Sequence, residues 1–304
     1  MRVGAACVLV ASVLAAPLSR AGSLDPTGPP APTMKTLDQV EPRIPVESLP
    51  GNAQFLHVIS QPGSYYVSTG VFLNPGLGAI QITAFGPVTL DLKGFSLMSG
   101  RWGGENGIVV STNAQPLVIR NGILSGWDGA AISAPTTMNA TFENLQIYNG
   151  VTGIDAGARS VVRHVLVNGC ATGIIAGVGT AVLDSVADHD AVGIRIDQNG
   201  RVEGCTVYAG SNDGILVGAG GVVLGNHVSD SNGIRVTGNN NTIDGNACYN
   251  VGTCVKVSAG TGNLVIRNKS ELCATDYLVG TGNKVGTITA DPTTATPWAN
   301  FAID

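Results

Sequence analysis

Gly153-Ile154-Asp155-Ala156, Gly173-Ile174-Ile175-Ala176 and Gly193-Ile194-Arg195-Ile196 repeat one phrase at a step of 20 residues. The phrase is a small residue, a branched aliphatic, a free position and a second small or aliphatic residue. Upstream it recurs at Gly107-Ile108-Val109-Val110 and Ala131-Ile132-Ser133-Ala134. Downstream it recurs at Gly214-Ile215-Leu216-Val217, Gly233-Ile234-Arg235-Val236 and Cys254-Val255-Lys256-Val257. Successive starts lie 24, 22, 20, 20, 21, 19 and 21 residues apart. A period near twenty is too short for paired-helix repeats and fits a leucine-rich repeat or a β-helix coil. No leucine-rich consensus is present, and no 3.6-residue periodicity appears between the phrases.

Each repeat carries two further short strands. Val161-Val162, Val222-Val223 and Val265-Ile266 begin the second. After it stands a column of Asn121, Asn144, His164, Asp184, Gly204, Gly225, Gly245 and Asn268. These residue types tolerate positive φ, as a backbone corner repeated on every coil would require. A third strand follows, as in Val165-Leu166-Val167 and Cys205-Thr206-Val207. The expected fold is therefore all-β: a single-stranded right-handed parallel β-helix, three short strands per coil, about ten coils including caps. Ile154, Ile174, Ile194, Ile215 and Ile234 should stack about 4.8 Å apart. Asn226 and Asn246 should form an internal amide ladder. Arg120, Glu143 and Arg163 read as a cross-strand charge ladder.

The flanks divide the chain. Residues 1–21 read as a secretory signal: Arg2, an apolar run from Val3 to Ala16, and small residues before a cut after Ala21. Export to the extracellular space or periplasm follows, with no membrane span left after removal. Residues 22–50 form a Pro/Gly-rich linker and docking segment, 51–106 an N-terminal cap with the first coils, 107–280 the regular coils and 281–304 a C-terminal cap. Phe55–Leu73, around Gln61-Pro62-Gly63-Ser64, reads as a hairpin, and Trp298 and Phe301 as the cover of the far end. Cys170, Cys205, Cys248, Cys254 and Cys273 remain after signal removal. Cys248 and Cys254 are close enough for a small loop, but buried apolar thiols are the favoured reading of all five. Asn139-Ala140-Thr141 and Asn268-Lys269-Ser270 match a glycosylation pattern.

Composition narrows the partners. Glycine makes up 42 of 304 residues, about twice the usual share, and charged residues only 12%, about half of it. The net charge is −5 with no basic stripe, which excludes a nucleic-acid partner.

The coil pattern with its Asn/Gly corner resembles the right-handed parallel β-helix, or pectate-lyase-like, superfamily. Thr33 to Arg43 (TMKTLDQVEPR), Gln61 to Tyr66 (QPGSYY), Leu90 to Phe95 (LDLKGF) and Pro297 to Phe301 (PWANF) are similar to a set of secreted bacterial β-helix proteins of unassigned function. The resemblance implies fold and export, not a reaction. The Asn-Thr-Asp, Asp-Asp, Gly-His-Gly and Arg-Ile-Lys motifs of polygalacturonase-like enzymes are missing, and Arg195-Ile196-Asp197 is only a partial echo of the last. Asp188-His189-Asp190 partly matches the Asp-Pro-His-Asp of alginate epimerases but lacks the proline. In resembling enzymes the substrate groove runs along the strand that is the Gly-Ile phrase here.

The outward residues of that strand and its preceding turns supply the candidates. Asp188, His189, Asp190 and Arg195 would be catalytic, with His189 or Arg195 taking a proton and an aspartate acting as acid. Asp155, Tyr208, Asp213, Arg235 and Lys256 would bind substrate, the cations holding sugar carboxylates. The partner would be a polysaccharide or another cell-envelope component. The reaction, if there is one, would be that of a lyase, epimerase or glycoside hydrolase. No metal site is read and no cofactor is firmly implied; calcium is the one cation left open. The competing reading is a solvated strand with scattered charges, on a non-catalytic surface or matrix scaffold or adhesin.

Overall fold

The computed structural model describes residues 43–303 except 75, 101–104, 112–113 and 209. The signal, the linker before residue 43 and most of the Thr33–Arg43 phrase lie outside the described residues. The chain winds as a solenoid of parallel strands. One sheet has 11 strands, one per coil, from Phe55–Ile59 through Gly78–Ile82, Ile108–Val110 and onward to Thr275–Val279. The other has 21 strands and collects the second and third strands of every coil. Eleven coils stand where about ten were expected. The one helical turn among the described residues is a 3-10 turn at Val46–Ser48.

The recurrent phrase is the 11-stranded sheet. Ile108, Ile132, Ile154, Ile174, Ile194, Ile215, Ile234 and Val255 pair in one unbroken register. All eight are fully buried, so each branched side chain sits on its equivalent in the next coil. Burial of this kind contributes roughly 1.5–3 kcal/mol per side chain. The sheet is parallel because each strand is reached by a full turn of the coil rather than a tight reversal. No helix among the described residues is long and apolar enough to cross a membrane.

Three columns of left-handed corners, not one, run along the coils from Ile132 onward, with a gap in the third between His189 and Asp230 among the described residues. The expected column is real: Asn121, Asn144, His164, Asp184, Gly204, Gly225 and Gly245 all have positive φ, from 45° to 65°. Its last member is corrected, because Arg267, at φ 57°, occupies the corner and Asn268 turns inward. A second column runs Asn139, Arg159, Gly179, Asn199, Gly220, Asn240, Gly262 and Gly282. A third includes Asn149, Gly169, His189, Asp230, Asn250 and Leu272. In the strands Leu117–Ser125, Ala140–Tyr148 and Val161–Asn168 the first corner only bends a continuous strand.

Asn268 turns inward because the amide ladder needs it. Asn226 Nδ2 donates to Asn246 Oδ1 at 2.9 Å, Asn246 to Asn268 at 2.9 Å, and Asn268 to Asn300 at 3.1 Å. Each Oδ1 also accepts the backbone N–H of the residue before it in the ladder. A second ladder, Asn241–Asn263–Asn283, runs beside the second corner column. Asn268 is fully buried, so its glycosylation pattern is inaccessible in the folded chain.

Other expectations shift. Phe55–Ile59 and Gly63–Tyr66 are not a hairpin. They lie in different sheets and pair parallel with Gly78–Ile82 and Val88–Asp91, so the Gln61–Ser64 turn is a coil corner. Cys248 and Cys254 are joined as a disulfide, against the thiol reading, while Cys170, Cys205 and Cys273 stay free. Trp298 is 57% exposed and does not seal the end; the buried residues of that segment are Ala299 and Asn300. The charge ladder is longer than Arg120–Glu143–Arg163. Asp91 lies 3.3 Å from Arg120 and 3.5 Å from Arg43.

Candidate functional site

Because the sheet register is unbroken, its outward residues also form a column. Asp155, Ile175, Arg195, Leu216, Arg235 and Lys256 stand on successive rungs in that order. The sequence candidates Asp155, Arg195, Arg235 and Lys256 thus share one face. Arg195 and Lys256 are exposed, and neither makes an ion pair within 4.0 Å among the described residues. Burial raises the Asp155 carboxyl above the usual range, Asp197 adds to the rise, and Arg195 opposes it.

Asp213 joins this face from the preceding turn. It is buried, and its Oδ2 accepts from Arg235 Nε at 2.7 Å and Nη2 at 2.6 Å. The carboxylate therefore fixes the guanidinium plane while the remaining donors stay available. Val192, Asn212, Asp213, Asn232, Arg235 and Lys256 line a shallow depression of about 420 Å³. Two cations, one carboxylate and two amides offer an anionic, hydroxyl-rich ligand both charge and hydrogen bonds. Sequence reasoning missed Asn212 and Asn232. Their signal was local: each closes the turn just before the Gly-Ile phrase, in Asn212-Asp213-Gly214 and Asn232-Gly233.

The proposed catalytic group is not brought together as one cluster. Asp188, His189 and Tyr208 gather on the edge of the 21-stranded sheet. Asp188 Oδ2 accepts from Asn168 Nδ2 at 2.7 Å, and Asp188 Oδ1 lies 2.6 Å from His189 Nδ1. The His189 ring meets Tyr208 edge-on, with centroids 5.6 Å apart. A proton on Nδ1 shared with Asp188 leaves Nε2 as the acceptor toward solvent. His189 also holds the left-handed corner that Asn149, Gly169, Asp230 and Asn250 hold on other coils, so its place has a structural cause as well.

Asp190 points the other way. It is 2% exposed; Oδ1 accepts the Cys170 N–H at 2.6 Å, and Oδ2 has no partner. Burial pushes its carboxyl up to about 7, with Asp188 adding and the Cys170 N–H and His189 subtracting. Burial likewise lifts the neighbouring Cys170 thiol to about 11, which leaves it protonated and unreactive. Arg195 stands apart from both groups, on the 11-stranded sheet. No group of three or more His, Cys, Asp or Glu that could hold a metal occurs among the described residues.

The family model for right-handed β-helix regions matches residues 106–230, the heart of this solenoid. With the sheet order above, the chain has the fold of a right-handed parallel β-helix. No curated protein matches it in sequence. Solved structures match it in fold. The A-module of a mannuronan C-5 epimerase from Azotobacter vinelandii is 13% identical, with 86% of this chain and 88% of that one covered and a TM-score of 0.48. A tailspike protein of E. coli bacteriophage HK620 is 14% identical over 80% of this chain, with a TM-score of 0.51. The same tailspike in complex with a pentasaccharide is 13% identical, with a TM-score of 0.50. The chain spans 59% and 60% of these two tailspike chains.

Proposed function

We propose that this protein is exported and binds an acidic polysaccharide along the outer face of its 11-stranded sheet. The carrying observation is the placement of Arg195, Arg235 and Lys256 in one column of a chain whose net charge is −5. Cations collected on one face of an acidic rod set up a local field for a polyanion. The depression around Asp213, Arg235 and Lys256 is the anchor subsite. The pentasaccharide-bound tailspike is an example of this fold carrying a sugar; the assignment here rests on this chain's own residues.

Catalysis would draw on Asp155 and Arg195, two rungs apart on the same face, or on the Asp188–His189 pair. A non-catalytic scaffold is the second reading. It is favoured by exposed Leu264, Leu272, Leu278, Val285, Ile288 and Trp298, which crowd the last coils and could serve assembly.

The test is the purified chain against acidic and neutral polysaccharides, with and without calcium. Pull-down reads binding, ultraviolet absorbance reads the unsaturated product of a lyase, reducing ends read hydrolysis, and NMR reads epimerisation. Binding confined to acidic polymers and weakened about tenfold or more by Arg235→Ala is expected, as for loss of a clamped cation. Equal binding of neutral polymers, or no effect of that substitution, refutes the assignment.

A further inference from the structure

Over five rungs the outward column alternates with a period of two. From Asp155 to Arg235 it alternates charged and aliphatic: Asp155, Ile175, Arg195, Leu216, Arg235. Rungs of a parallel sheet lie about 4.8 Å apart, so Arg195 and Arg235 recur at roughly 10 Å with Leu216 between them. The core does not impose this pattern. The inward neighbours Ile154, Ile174, Ile194, Ile215 and Ile234 are the same on every rung. The alternation is a property of the outer face alone.

Building on the polysaccharide reading, we propose that the ligand is an extended acidic chain that carries an acid group on every second sugar and none on the sugars between. An extended chain of 1,3- and 1,4-linked sugars advances by close to one rung spacing per sugar. Laid along the axis, it sets one sugar on each coil. Arg195 and Arg235 each receive a carboxylate. Leu216, and Ile175 below Arg195, receive the apolar C–H faces of the sugars between. A chain with an acid facing every rung would place a carboxylate against Leu216, stripped of water and without a partner. The aliphatic rungs thus select by rejection as well as by contact. Lys256, one rung beyond Arg235, ends the alternation and doubles the cation at the depression. Asp155 ends it on the other side with a charge that disfavours an acid there.

The experiment compares two hexasaccharides of equal length by calorimetry on the full chain at physiological salt. The hyaluronan hexasaccharide carries a carboxylate on alternate sugars; hexagalacturonate carries one on every sugar. The proposal expects hyaluronan to bind at least as tightly with half the charge. Tighter binding of hexagalacturonate means that affinity follows total charge, and it overturns the spacing while leaving the acidic reading intact. Binding of neither overturns both. Leu216→Lys fills the aliphatic rung at a half-buried outward position. It should move the ratio of the two affinities by about fivefold or more toward hexagalacturonate, the size of one added charge contact. An unmoved ratio overturns the spacing as well.

Discussion

Asn246→Ala should be among the most damaging single changes in the chain. Asn246 is 1% exposed, and its side-chain amide and backbone N–H make five hydrogen bonds. Its Oδ1 accepts from Asn226 N and Asn226 Nδ2; its Nδ2 donates to Val223 O and Asn268 Oδ1; its N–H donates to Asn268 Oδ1. Alanine keeps only the last. It strands the buried Asn226 N–H and one N–H of the Asn226 amide, whose other N–H stays on Val202 O, and each lost partner costs about 1–3 kcal/mol. It also empties the side-chain volume between two coils. The expected loss is therefore about 3–6 kcal/mol. Asn246→Asp has the same shape. One of its oxygens still serves Asn226, but the other faces the acceptors Val223 O and Asn268 Oδ1. It must be protonated to fit, so this variant should be unstable at neutral pH and recover in acid. Urea unfolding followed by circular dichroism gives the global number. Hydrogen exchange at Gly225–Asn268 covers the case in which the solenoid opens locally, since repeat arrays depart from two-state behaviour. A loss below about 1 kcal/mol for Asn246→Ala, with no new exchange in these coils, would refute the claim that the ladder holds the coils together.

Asp190 and the disulfide give two further expectations. The Asp190 carboxyl is raised from 3.8 to about 7 in the fold, so the native state binds the extra proton. The contribution of this group to stability should be full below about pH 4, be lost as pH rises to about 7 and stay lost above it, by at most about 4 kcal/mol. Asp190→Asn should remove that slope in melting curves taken across the range, and a slope that persists assigns it elsewhere. Reducing Cys248–Cys254, six residues apart, should cost about 2 kcal/mol by the loop-entropy relation. Exchange should rise in the last coils first. Equal melting of reduced and oxidised protein would show that packing alone holds this corner.

The repeat was legible because a solenoid writes its core into the sequence at the step of its coil. Ile154, Ile174 and Ile194 must stack, so the same residue returns every 20 positions. One corner column was legible for a similar reason, since positive φ narrows the choice of residue. The other two were obscured by members such as Arg159, His189 and Leu272, which hold left-handed corners against their usual preference. Asn268 was misplaced by one residue. Asparagine suits both a corner and an internal ladder, and only the pairing of Asp244 with Ile266 decides between them.

The site divides along the same line. By itself the sequence determined that Asp155, Arg195, Arg235 and Lys256 share one face, because alternation along a strand and a fixed coil step set both direction and rung. Only the tertiary structure decided what the turns do. His189 swings to the edge beside Asp188 and Tyr208, Asp190 folds inward beneath the Cys170 N–H, and Asp213 reaches across to clamp Arg235. Turn residues follow no period of two. Their directions come from the corner dihedrals of the whole coil and from the coils packed on either side.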